Sequence, residues 1–134
     1  NFLLKSKKRL AKNYEKNLKK LNFLDLPGDY GQVKNSYWLY TIKLKKNLKK
    51  YKNTMIKEMN EKRIEARPIF FPLNTMPIYK KYINKNEKFN TSKDLYERSI
   101  SLPSAYDVDE KKIKEVSKFL RSFVHQINFK KKYL

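Results

Sequence analysis

The chain has 134 residues, enough for one domain that buries roughly two thirds of the surface its unfolded form exposes. A hydrophobic fraction of 40% with 14% aromatics excludes disorder throughout, and no apolar run approaches the ~20 residues of a membrane span. Zero cysteines remove disulfides and thiolate metal sites, a single histidine (His125) leaves little room for zinc or Ser-His-Asp chemistry, and a net charge of +20 raises the question of a polyanionic partner.

Lysine supplies 28 of the cations and arginine only five, alongside abundant Asn, Ile and Tyr, which is the residue usage an A·T-rich gene encodes. Arginine makes the bidentate phosphate and base contacts a dedicated nucleic-acid binder would favour, so the lysines read first as a solvated surface. The lack of cysteine fits a reducing, cytoplasmic setting. The chain begins with Asn1 and is expected to be a processed product or a piece of something longer.

Residues 2 to 21 place Leu3, Leu4, Leu10, Ala11, Tyr14, Leu18 and Leu21 on one helical face. "DLPGDYGQVKN", 25 to 35, holds both glycines and reads as a loop. "SYWLYTIKL", 36 to 44, predicts a strand with Trp38, Tyr40, Ile42 and Leu44 pointing one way into the core. A helix is expected over 47–63 with Asn47 as N-cap, and a strand of four to six residues near Ile64. Thr91 and Asp94 have capping-box spacing for a short helix over 92–98, and "SISL", 99 to 102, predicts a strand that Pro103 stops. Asp109 suits the N-cap of a last helix to about 126, with Val108 and Ile113 at the staple positions and a frayed basic tail over 129–134. The expected fold is α+β, a small three-stranded, mostly antiparallel sheet covered by helices.

No complete active site is visible. Asp107, Asp109 and Glu110 read as capping acids, His125 as a cation near a helix C-terminus, and composition singles out no Schiff-base lysine. The anomaly is "RPIFFPLNTMPIY", 67 to 79, irregular and aromatic in a lysine-rich chain. It is either a buried connection that plugs the sheet or a wall over a ligand pocket.

The order "NSYWLYTIKL", helix, "RIEARPIFFPLNTMPIY", then "ISLPSAYDVDEKKIKEVSKFL" resembles the carboxy-terminal part of the DegT/DnrJ/StrS sugar aminotransferases, from about Leu10 to Leu120. The run from Arg67 to Tyr79 is most similar to the perosamine-synthetase branch, which acts on a GDP-linked 4-keto-6-deoxy sugar. The resemblance implies the small domain of the pyridoxal-phosphate aspartate-aminotransferase fold: 1–24 as a connecting helix from an absent large domain, 25–128 as the small domain and 129–134 as the tail. It implies that the Schiff-base lysine and most cofactor contacts lie in the missing amino-terminal domain, that the full-length enzyme is a homodimer using pyridoxal phosphate, and that the isolated chain is inactive and holds no cofactor. It places Arg67, Phe70, Phe71 and Asn74 at the mouth of the active site, against the nucleotide-sugar substrate, with no catalytic residue in the chain. Two departures stand out. The family usually has glycine where Arg63 stands, so either Arg63 adopts a left-handed conformation or the helix ends differently. The perosamine branch often has histidine at the position of Asn74, which weakens direct substrate contact there. Two readings stand against the aminotransferase domain: a free-standing basic module for nucleic acid or an anionic surface, and a structural remnant without activity.

Overall fold

The computed structural model describes residues 2–84 and 86–133, with side chains described to residue 129. The chain runs through α1 (Phe2–Leu18), β1 (Leu24–Asp25), β2 (Tyr40–Leu44), a 3₁₀ turn (Lys46–Tyr51), α2 (Lys52–Glu61), β3 (Arg67–Pro68), two further 3₁₀ turns (Leu73–Thr75 and Pro77–Tyr82), α3 (Asn90–Arg98), β4 (Ser99–Leu102) and α4 (Glu110–Tyr133). It is an α+β fold whose sheet has the order β1-β2-β4-β3 with every pair antiparallel. The fourth strand, β1, was not visible in a loop-like stretch: it is two residues long and holds Leu24 opposite Leu44 and Asp25 opposite Lys43.

One core joins α1, α2, α4 and a face of the sheet. Period-two alternation buries Tyr40, Ile42 and Leu44 from β2, while α1 contributes Leu10, Ala11, Tyr14 and Leu18 and α4 contributes Ile113, Val116, Leu120 and Val124. Ser117 Oγ and Arg121 Nη2 of α4 donate to the Asn17 carbonyl near the end of α1, at 3.0 and 3.2 Å, satisfying a group the helix itself leaves open. Leu3 and Leu4 share the apolar stripe of α1 but are exposed, whereas Leu10 is buried. Tyr14 and Tyr40 stack with centroids 4.4 Å apart, and burial pushes both phenols above their usual pKa. Tyr14 Oη donates to the Pro103 carbonyl at 2.9 Å, while the Tyr40 hydroxyl has no hydrogen-bond partner among the described residues.

Trp38 overturns the expected burial: it is 67% exposed. The alternation that assigned it inward holds only where the ladder exists. That ladder ends at Tyr40↔Leu102 because Pro103 follows, and the Tyr40 N–H goes to Ser104 Oγ at 2.7 Å. Upstream, Asn35 Oδ1 accepts the Tyr37 N–H at 2.8 Å and Tyr37 takes a left-handed φ of 52°, which turns the chain before the strand starts.

Other boundaries differ for local reasons. Asn47 is not an N-cap: residues 46–51 form a 3₁₀ turn and α2 starts at Lys52. The Thr91–Asp94 capping box does not form: α3 starts at Asn90 with no side-chain cap, and Asp94 instead pairs with Arg98 one turn on. The strand expected at Ile64 is displaced to Arg67–Pro68, because 64–66 is held by α2; Asn60 bonds Ala66 in both directions, at 2.8 and 3.1 Å. The last helix continues to Tyr133, so His125 does not lie in its last turn and the expected frayed tail is helical as far as residue 133. Asp109 does cap it, its Oδ1 accepting the Lys112 N–H at 2.7 Å.

Arg63 answers the first departure. Its φ is 57°, Arg63 N donates to Asn60 O and Ile64 N to Met59 O, both at 2.9 Å, which is a complete Schellman closure of α2 built on a non-glycine residue. Lys112 Nζ adds a bond to the Arg63 carbonyl at 2.9 Å.

Candidate functional site

The segment after β3 does not plug the sheet. Two prolines (Pro72, Pro77) deny it a ladder, and it closes on itself in 3₁₀ turns, with Thr75 N and Oγ1 both donating to the Pro72 carbonyl at 3.0 and 2.6 Å. Its large side chains face outward: Phe70 is 74% exposed, and Phe71, Leu73 and Ile78 are exposed as well.

Phe70 turns back against Trp38, the two rings stacked with centroids 6.1 Å apart and 23° between planes. Trp38 is tethered from α1: Lys7 Nζ donates to its carbonyl at 3.0 Å and also to the Ser104 carbonyl. Beside this pair lies a cleft of about 220 Å³ lined by Lys7, Trp38, Glu65, Arg67, Ser101 and Ser104 among others. The Arg67 guanidinium pairs with the Glu65 carboxylate there, both largely solvated. Of the four expected site residues, the structure therefore gathers Arg67 and Phe70 at one rim, through Trp38. Phe71 and Asn74 do not line the cleft: Phe71 meets the Tyr96 ring edge-on at 5.0 Å, and Asn74 sits half-buried in the Leu73–Thr75 turn.

Sequence reasoning missed Trp38 and Lys7 as rim residues. The signal for Trp38 was the Asn35–Ser36 turn and Pro103, which together cut the strand short; nothing in the sequence separates Lys7 from the other lysines.

A larger cleft of about 620 Å³ lies between α1 and residues 24–29, with Glu15, Lys19, Asp25, Asp29 and Tyr37 on its walls. Asp25 is held below the usual carboxylate range chiefly by its hydrogen bond from Lys45. Among the described residues, no group of three or more His, Asp or Glu is arranged to hold a metal. Among the same residues, no helix is long and apolar enough to cross a membrane.

The profile of the DegT/DnrJ/EryC1/StrS aminotransferase family matches residues 1–121. The chain belongs to this family. It is 26% identical over 125 residues to a GDP-perosamine synthase of Vibrio cholerae, covering 93% of this chain and 34% of that protein. It is 25% identical over 130 residues to EpsN of Bacillus subtilis, described as a putative pyridoxal phosphate-dependent aminotransferase, covering 96% of this chain and 33% of that protein. Among solved structures, PseC of Helicobacter pylori, an aminotransferase of pseudoaminic acid biosynthesis, superposes with a TM-score of 0.77 at 16% identity, over 89% of this chain and 32% of that one; at that identity the likeness speaks to fold. The chain thus spans about a third of the length of the curated relatives it matches. The free-standing binding-module reading gains no support, since residues 1–121 match the aminotransferase family.

The family is one of pyridoxal-phosphate enzymes, and the described residues of this chain do not fit that cofactor. Among the described residues Lys52 is the one buried lysine, and its ammonium is committed to the Tyr96 carbonyl at 2.7 Å. Lys7 is tied to two carbonyls, and the α4 N-terminus, which could receive a phosphate, is closed by Asp109.

Proposed function

We propose that this chain is the small domain of a nucleotide-sugar aminotransferase, and that the whole enzyme converts the keto group of a 4-keto-6-deoxy sugar on a nucleoside diphosphate into an amine, with GDP-perosamine formation as the specific case. Family membership and the similarity to a GDP-perosamine synthase support this reading. The observation that carries it into this chain is the rim where Trp38 and Phe70 stack beside Arg67.

A nucleotide sugar offers flat base and sugar faces next to a diphosphate. An aromatic pair held at a cleft edge suits the former, and a guanidinium suits the latter through bidentate, charge-assisted bonds. Arg67 is available for exchange: its pair with Glu65 is solvent-exposed, a kind of contact worth about 0–1 kcal/mol, so a phosphate can displace the carboxylate at little cost. On this reading the cofactor and the remaining active-site residues belong to the rest of the enzyme, which acts as a homodimer.

The test is kinetic, in the enzyme expressed from its whole reading frame with GDP-4-keto-6-deoxymannose as substrate. Arg67→Ala and Phe70→Ala should each raise KM roughly tenfold, about 1.4 kcal/mol of lost binding, with cofactor absorbance unchanged. Unchanged kinetics in both variants would remove the rim from the site.

A further inference from the structure

Lys52 is unusual in this chain because it is buried, while the surface is crowded with solvated lysines. It opens α2, and its ammonium does two things at once. It donates to the Tyr96 carbonyl at 2.7 Å, and it lies over the Tyr96 ring, 4.3 Å from the centroid. The carbonyl belongs to the last turn of α3, where a helix leaves its acceptors open, so a cation there is favoured on two counts. The same ring receives Phe71, 5.0 Å away and 82° to its plane. Burial lowers the Lys52 pKa from its ordinary value, and the neighbouring Glu97 carboxylate, itself paired with Lys49 at 2.6 Å, opposes that shift. A methyl group of the same reach would fill the space. It would leave the Tyr96 carbonyl open and the ring face without its cation.

Phe71 is the point at which the irregular segment reaches this ring. Its neighbours Leu73 and Thr75 are exposed, and the turn they form is closed by local bonds to the Pro72 carbonyl. We propose that Lys52 is a positioning residue: through Tyr96 it fixes Phe71, and with it the course of residues 70–74 beside the candidate site. The clamp stands on packing alone; its consequence for substrate rests on the aminotransferase reading above. Three elements distant in sequence converge here, α2 through Lys52, α3 through Tyr96 and the segment through Phe71, so that one buried cation sets where an exposed aromatic run lies.

NMR of the chain, with aromatic and methyl labels, tests the clamp independently of activity. Lys52→Met should displace the Phe71 ring signals and the amides of 70–74 while the Ile42 and Ile100 methyls hold their positions. Tyr96→Leu should produce a similar displacement, and the double variant should add nothing to it, since both substitutions cut the same connection. Lys52→Gln keeps a donor for the Tyr96 carbonyl and guards against loss of folding; without the cation, it too must move Phe71. Unmoved Phe71 signals in a folded Lys52→Gln or Lys52→Met chain overturn the proposal, and so does a double variant whose displacement is the sum of the two. In the whole enzyme, Lys52→Met should raise KM for the nucleotide sugar several-fold and leave kcat within about twofold. A displaced Phe71 with an unmoved KM sustains the clamp and counts against the placing of this segment at the sugar-nucleotide pocket.

Discussion

The sheet with α1, α2 and α4 and the segment from Arg67 to Tyr82 use the same kinds of side chain to opposite ends. In the first, Tyr40, Ile42 and Leu44 enter a closed core. In the second, Phe70, Phe71, Leu73 and Ile78 stay at the surface. The difference lies in the backbone. Residues 40–44 have ladder partners that carry every second side chain inward, whereas beyond β3 prolines at 72 and 77 deny residues 69–82 a ladder, so they can present apolar groups without burying them. It is this exposed apolar surface that the proposed substrate rim draws on.

The strongest way to break that contrast is a paired substitution across it. Ile42→Ala, in the core, should cost about 3 kcal/mol in urea unfolding, while Trp38→Ala, four residues upstream, should cost under about 1 kcal/mol despite removing a larger group. Equal losses would mean that Trp38 is buried after all.

The stacked tyrosines sharpen the contrast inside the core itself. Tyr14→Phe removes the bond to the Pro103 carbonyl and should cost about 1–2 kcal/mol, whereas Tyr40→Phe removes a hydroxyl without a partner and should be neutral or stabilising by about 1 kcal/mol. Thermal unfolding of the two single variants gives the comparison directly, and losses of the same sign and size would show that the Tyr40 hydroxyl is satisfied.

The smallest effect concerns acid. The Arg98 hydrogen bond holds the Asp94 carboxyl below its usual pKa, and Lys45 does the same for Asp25. A carboxylate whose folded pKa is depressed contributes stability that is fully present above the unfolded value of about 3.9 and is lost as pH falls through the lower folded value. The urea midpoint should therefore fall below about pH 4, and Asp94→Asn with Asp25→Asn should flatten that fall while lowering the midpoint slightly at pH 7. An unchanged slope in the double variant would assign the acid sensitivity to other carboxylates.

Much of this fold was legible in the residues. "SISL" lies in β4 as expected because Pro103 gives an unambiguous stop, and Asp109 caps α4 because the apolar period begins just after it. The misreadings share a cause. Asn47, and Thr91 with Asp94, have the right chemistry for capping, yet a 3₁₀ turn ahead of α2 and the Asp94–Arg98 pair took those residues for other work. At the site, Arg67 and Phe70 were identifiable as an arginine and an aromatic in an irregular run, but their assembly with Trp38 and Lys7 was not. That assembly needs α1 to lie across the start of β2, a contact between residues 31 positions apart.

By itself the sequence determined what is local or periodic: the helical stripe of α1, the alternation of β2, the proline-bound breaks and the family to which residues 1–121 belong. Only the tertiary structure decided which alternating positions have a strand to pair with. It also set, among 28 chemically equivalent lysines, Lys7 against the Trp38 carbonyl and Lys52 against the Tyr96 carbonyl and ring. The physical reason is that a lysine acquires a role from the carbonyls and rings that converge on it, and those come from elements that meet only when the chain has folded.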